Sequence, residues 1–153
     1  MKKLRVLFLC TANACRSQMA EGFARALQGD VIEPYSAGTE PAALSRRAVR
    51  VMAEAGVDLS GQRAKSVAEL LDAGLTFDYV VTLCDNARGS CPIFPGKARV
   101  VHVPFDDPDR LAAEAGGGPE AELAAFRRVR DEIRAFVERL PENLAQSSKR
   151  PVA

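Results

Sequence analysis

The chain has 153 residues, a length that suits one domain around one core. Apolar residues make up 47% and charged residues 27%, and the net charge of +1 from 21 basic and 20 acidic residues carries no nucleic-acid or anionic-membrane signal. No apolar run approaches a membrane span, and the basic start Met1-Lys2-Lys3-Leu4-Arg5 precedes a run too short for a signal h-region. The chain is expected in the cytoplasm, without nucleic acid or membrane among its partners.

The elements follow in chain order. Val6-Leu7-Phe8-Leu9 is a continuous apolar run and predicts a buried β-strand ending at Cys10. Met19, Phe23 and Leu27 recur at helical spacing and predict a helix over 19–27, with Gly29 as its stop. Residues 31–38 read as a second strand, and Pro34 places it at a sheet edge. Residues 45–55 read as a helix with Val49, Met52 and Ala53 inward and Gly56 as its stop. Ser66-Val67-Ala68-Glu69 is a capping-box pattern opening a short helix that ends near Gly74.

Residues 78–83 predict a third strand and residues 98–103 a shorter fourth. Ala115-Gly116-Gly117-Gly118-Pro119 reads as a flexible loop. The last helix is expected from about Glu120 to Leu140, with Leu123, Phe126, Val129, Ile133, Phe136 and Leu140 inward. Pro141 ends it, giving a domain over 1–140 and an expected disordered tail over 141–153.

Strands alternating with helices imply an α/β fold: a single-domain, Rossmann-like, mainly parallel four-stranded sheet flanked by helices. Ligands in such sheets bind outside the carboxyl ends of the strands. Cys10 stands at such an end.

Cys10-Thr11-Ala12-Asn13-Ala14-Cys15-Arg16-Ser17 is therefore a strand-to-helix turn. Turns of this kind bind oxyanions, because backbone N–H groups wrap inward and the helix N-terminus adds positive charge. A thiolate is the nucleophile, and cysteines at helix N-termini near arginine ionise at roughly pKa 3.5–7.5. Arg16 offers a planar fork for two oxygens of a tetrahedral anion. Ser17 can donate to the Cys10 sulfur or cap the helix, and Asn13 tolerates the left-handed backbone of a tight loop. No Gly-Lys-Ser/Thr ending is present, so a nucleotide P-loop is not expected.

The four cysteines lie at 10, 15, 84 and 91, without a Cys-x2-Cys pair and with His102 as the only histidine, so no metal site is expected. Cys84 follows the third strand and Cys91 comes seven residues later. A helical segment would hold these two roughly 10 Å apart, beyond the ~7 Å a disulfide allows. Either the segment is looped or it unwinds. Gly89, Ser90 and Pro92 fit a segment that changes shape. His102 reads as structural, and Arg127, Arg128 and Arg130 as a solvated helix face.

The Cys-x5-Arg-Ser loop resembles that of the low-molecular-weight protein tyrosine phosphatase family. Its extension Ser17-Gln18-Met19-Ala20-Glu21-Gly22 is more similar to the arsenate reductases that share that fold. Thr82-Leu83-Cys84-Asp85 and Cys91-Pro92 resemble the redox segment of thioredoxin-coupled arsenate reductases. The resemblance covers roughly residues 4–140.

It implies an oxyanion site of Thr11, Ala12, Asn13, Ala14, Cys15, Arg16 and Ser17, with the Cys15 side chain as packing. It also implies Asp107, before Pro108, as general acid, where the dipeptide alone would read as a turn. The implied reaction is reduction of arsenate through a Cys10 adduct and a Cys10–Cys84–Cys91 disulfide relay, reset by thioredoxin, with no cofactor.

Three departures stand out. Ala12 and Ala14 replace a common Gly and Ser, which should alter loop flexibility and one hydrogen bond. The stretch from Asp109 to Ala121 is longer than in compact members. Some relatives hold a monovalent cation near positions matching Asn13, Glu21 and Ser36, but Lys65 falls where an acidic ligand would be expected. Two other functions stay open: a phosphotyrosine phosphatase acting through a phosphocysteine, and a non-enzymatic anion or redox sensor. Asp109 and Arg110, where phosphatases carry aromatic residues, argue against the first.

Overall fold

The computed structural model describes residues 2–83 and 98–144. Its elements are β1 (Leu4–Cys10), α1 (Arg16–Gln28), β2 (Ile32–Gly38), α2 (Arg46–Glu54), α3 (Val67–Asp72), β3 (Tyr79–Thr82), β4 (Arg99–His102), α4 (Pro108–Ala115) and α5 (Gly118–Glu138). The four strands form one parallel sheet in the order β2-β1-β3-β4. Pro34 lies on the edge strand β2, where a missing N–H is tolerated.

The unbroken apolar run of β1 is explained by burial on both faces. Val6 and Phe8 pack on one side with residues of α1, α2 and α5. Leu7 and Leu9 pack on the other with Val67 and Leu70 of α3. The chain passes from β1 outward to β2 and then returns to β3 on the far side of β1. That reversal opens a crevice at the carboxyl ends of β1 and β3, where Cys10 sits.

Several expectations are corrected. In α2 the buried residues are Ala48, Val51 and Met52. Val49 is half-buried and Ala53 exposed, because the inward stripe is rotated by about one residue. In α5, Val137 is fully buried while Phe136 is half-buried at the stripe's edge.

Helix α4 was not expected. Its start is capped by Asp107, whose carboxylate accepts from the Asp109 N–H at 3.0 Å, with Pro108 at the first helical position. Eight residues give little periodicity to read. The glycine stretch is not a flexible loop. Gly116 and Gly117 form a tight turn between α4 and α5, with φ of +63° and +89° that other residues rarely adopt. The long stretch from Asp109 to Ala121 is therefore a helical hairpin.

Residues 141–144 also depart from the expected tail. They form a helical turn in which Leu144 is fully buried against the core. The arginines of α5 are not simply solvated. Arg127 and Arg130 both pair with Glu54 of α2, and Arg128 reaches Asp106 at 2.8 Å. The hydrogen bonds from Arg127 hold the Glu54 carboxyl down to about 2. No described helix is long and apolar enough to cross a membrane.

Candidate oxyanion site

The loop between β1 and α1 is held from outside. Its carbonyls at Cys10, Thr11, Ala12 and Ala14 accept from the N–H groups of Thr39, Glu40, Ala42 and Ser45 at 2.8–3.2 Å. With the carbonyls satisfied on that side, the loop's N–H groups are left for its concave face. Asn13 is the one non-glycine residue with positive φ among those described, at 51°. Ala12 and Ala14 need no such conformation, so the exchange for Gly and Ser strains nothing.

β2 must come very close for this pairing. A Cβ on Gly38 would lie 2.5 Å from the Thr11 carbonyl oxygen and 3.0 Å from the Asn13 nitrogen. Gly38→Ala is thus expected to push the loop off its seat. It should cost ~1–3 kcal/mol by overpacking and lower turnover as well, checked by thermal unfolding and steady-state kinetics on the same sample.

Cys10 is 3% exposed, and its sulfur receives the Asn13 N–H at 3.3 Å. It lies 3.0 Å from the Ser17 hydroxyl. A chain of hydrogen bonds fixes which way that hydroxyl points. The Lys65 N–H and the Gln18 amide both donate to Asn13 Oδ1, at 3.0 Å each. This turns Asn13 Nδ2 toward Ser17, where it donates to Oγ at 2.7 Å. The Ser17 proton is then free for the sulfur. Of the two roles expected for Ser17, donation to Cys10 is the one made, because α1 has no side-chain cap. Gln62 completes the frame by donating to Gln18 Oε1 at 2.7 Å.

A cavity of about 750 Å³ opens above the sulfur. Cys10, Thr11, Ala12, Ala14, Cys15 and Arg16 line it from the loop, and Phe105, Asp106 and Asp107 from the far wall. Asn13 and Ser17 lie beneath it, fully buried, and act through the sulfur. Arg16 bridges the two walls by donating through Nη1 to the Phe105 carbonyl at 2.9 Å. Its Nε is buried with no hydrogen-bond partner among the described residues, a donor suited to an anion in the cavity.

The far wall is fixed at Phe105. Its N–H donates to the Leu83 carbonyl at 2.9 Å, and its ring meets Phe136 edge-on at 6.0 Å. Of the two adjacent aspartates, Asp106 is committed to Arg128 and Arg110. Asp107 caps α4 with one oxygen and lines the cavity. Burial, and then the nearby Asp107, push the Asp109 carboxyl up.

Cys15 sits in the same loop, close to Cys10. Burial, and then the proximity of Cys10, push its thiol up to about 12, so it stays protonated and un-nucleophilic at neutral pH. His102 shares a 2.7 Å hydrogen bond with Thr82 across β3 and β4, a structural role. Near the loop, Glu21 accepts from Ser36 at 2.5 Å, pairs with Arg25, and has the Lys65 ammonium 3.7 Å away. Burial pushes that ammonium down. Cys84 and Cys91 lie outside the described residues. The chain leaves the sheet at Leu83, whose N–H donates to the Leu9 carbonyl, one residue before Cys10.

Residues 5–150 match the model of the family described as low molecular weight phosphotyrosine protein phosphatase. The chain belongs to that family. A relative named arsenate reductase, from Shouchella clausii, is 43% identical over 142 residues, covering 93% of this chain and 98% of its own. A solved structure described as an arsenate reductase in the phosphate binding state superposes with a TM-score of 0.65 at 30% identity, covering 95% and 99% of the two chains. A low molecular weight protein tyrosine phosphatase from T. tengcongensis gives 0.66 at 29% identity, covering 92% and 99%. Proteins named arsenate reductase and protein tyrosine phosphatase thus share this fold.

The sequence missed several residues of the site. Gly38, Gln62 and Lys65 support the loop from elements distant in the chain, and Gln18 supports it from the first turn of α1. For this supporting role Gly38 carried a local signal, as a glycine ending a strand.

Proposed function

We propose that this protein is a cytoplasmic arsenate reductase working through Cys10. The observation that carries the reading is the Cys10 sulfur at the floor of the cavity, with two donors aimed at it and Arg16 beside it. The sequence likeness to proteins named arsenate reductase supports the same reading.

Arsenate enters the loop against its N–H groups and Arg16. The Cys10 thiolate attacks arsenic, and Asp107 gives a proton to the departing oxygen, which leaves as water. The Cys84 thiolate then attacks the Cys10 sulfur. The electron pair of the sulfur–arsenic bond passes to arsenic, which leaves as arsenite, and a Cys10–Cys84 disulfide forms. Cys91 attacks Cys84, freeing Cys10 as thiolate. An external dithiol, thioredoxin by resemblance, reduces the Cys84–Cys91 disulfide. Donors placed for the charge that develops on the oxyanion supply most of the rate.

Asp107→Asn should lower kcat by ~10²–10⁴-fold. Asparagine caps a helix as well as aspartate does, so thermal stability should change little. A parallel loss of both would assign Asp107 to structure instead.

The phosphatase reading rests on the same loop, which stabilises any tetrahedral oxyanion. The cavity wall carries Asp109 and Arg110 after Pro108, and Phe105 is its one aromatic residue among those described. A substrate ring would find no sandwich there. Slow hydrolysis of p-nitrophenyl phosphate is expected as a side reaction. The test is arsenate-dependent NADPH oxidation with thioredoxin and thioredoxin reductase, run beside that hydrolysis. Turnover with arsenate supports the reductase. None with arsenate but rapid ester hydrolysis favours the phosphatase, and an oxidised Cys84–Cys91 pair with neither activity favours a sensor.

A further inference from the structure

The fold brings Cys15 together with two carboxylates, Asp107 and Asp109, that follow it 92 and 94 residues later in the chain. The Cys15 sulfur and carboxylate oxygens of Asp107 and Asp109 all lie within 4.8 Å of one another. Cys15 reaches this place from the loop, and the aspartates reach it from the first turn of α4. Cys15 is 6% exposed, lines the cavity, and its sulfur has no hydrogen-bond partner among the described residues. That sulfur belongs to a buried side chain that faces the same cavity as the two carboxylates, and it lies within 4.8 Å of both.

We infer that Cys15, Asp107 and Asp109 form a binding site for a thiophilic divalent cation such as Zn²⁺. One sulfur and two carboxylate oxygens are a donor set for borderline-soft metals, and they are a poor one for Mg²⁺ or Ca²⁺, which avoid thiolates. Tetrahedral zinc needs its donors about 3.5 Å apart. The observed spacing asks for a contraction of roughly 1 Å, within the reach of side-chain rotation at the helix start. The fourth position faces the cavity and takes water. Binding forms a metal–sulfur bond and releases the Cys15 proton to solvent, and the dication replaces that proton as the local positive charge.

Two arginines oppose a cation here. Arg16 is turned to the Phe105 carbonyl. Arg47 lies 3.7 Å from Asp109, an exposed pair worth little, and has Glu122 as a second partner when the metal displaces it. The expectation of no metal site rested on ligand spacing along the chain, and this site is built across it. Occupancy would tie up Asp107, so its effect on turnover rests on the reductase reading. The site itself does not.

The test is Co²⁺ titration of the full chain carrying Cys10→Ser, Cys84→Ser and Cys91→Ser, which leaves Cys15 as its single thiol. A thiolate-to-cobalt charge-transfer band in the near ultraviolet is expected. Adding Cys15→Ser should abolish it. Adding Asp109→Asn, an exposed change that leaves the fold intact by circular dichroism, should weaken Co²⁺ binding by at least ~10-fold. Absence of the band, or a band indifferent to both Asp107→Asn and Asp109→Asn, overturns the inference. Neither outcome depends on arsenate turnover.

Discussion

Cys10→Ser should abolish arsenate reduction, lowering kcat by ~10⁴-fold or more, while the protein stays folded and still binds phosphate. The reason is local. The sulfur accepts from the Asn13 N–H and meets the Ser17 hydroxyl at 3.0 Å, so a serine oxygen finds the same partners. What it lacks is the thiolate's nucleophilicity and a bond to arsenic that can release two electrons. The cradle does not need the sulfur, because its outward carbonyls are pinned by residues 39–45. Calorimetry with phosphate and a coupled assay on one preparation check both halves. Retained turnover would remove Cys10 from the chemistry, and lost phosphate binding would show that the sulfur holds the loop together.

Arg16→Lys should lower kcat/KM for arsenate by ~10²–10³-fold, with losses in both kcat and KM. Arg16 does two things at once. Its buried Nε, without a partner among the described residues, is available to an anion, and Nη1 holds the Phe105 carbonyl. Lysine presents a point charge without the fork, so it can keep one of these contacts and not both. The Phe105 contact also positions the wall that carries Asp107, which is why kcat should suffer along with binding. The check is a full kinetic profile with phosphate as competitor. A change confined to KM would reduce Arg16 to an attractor of anions.

Much of the fold was legible because its signals are local. The buried run Val6–Leu9, the Ser66–Glu69 box and the period of α5 each decide their element within a few residues. Cys10 and Arg16 were legible for the same reason, since the loop is contiguous. The misses have a shared cause. Helix α4 is short, and its cap, Asp107 with Pro108, has the same dipeptide chemistry as a turn. Three glycines in a row suggest freedom, whereas their positive φ builds one tight connection between α4 and α5. The support behind the loop, from Gly38, Gln62 and the Lys65 N–H, depends on contacts 25 residues or more along the chain that no periodicity records. The pairing of Arg130 with Glu54 was hidden likewise, because a run of arginines looks the same whether it faces water or a neighbouring helix.

The most direct test of the account traps the relay halfway. Cys91→Ser, fully reduced and free of thioredoxin, is mixed with excess arsenate, and arsenite and protein thiols are counted. The account predicts one arsenite per protein, no further turnover, and a Cys10–Cys84 disulfide identified by peptide mass spectrometry. Each arsenite takes two electrons, and that disulfide is their source. Free thiols with no arsenite formed, or continued turnover by the variant, would contradict it.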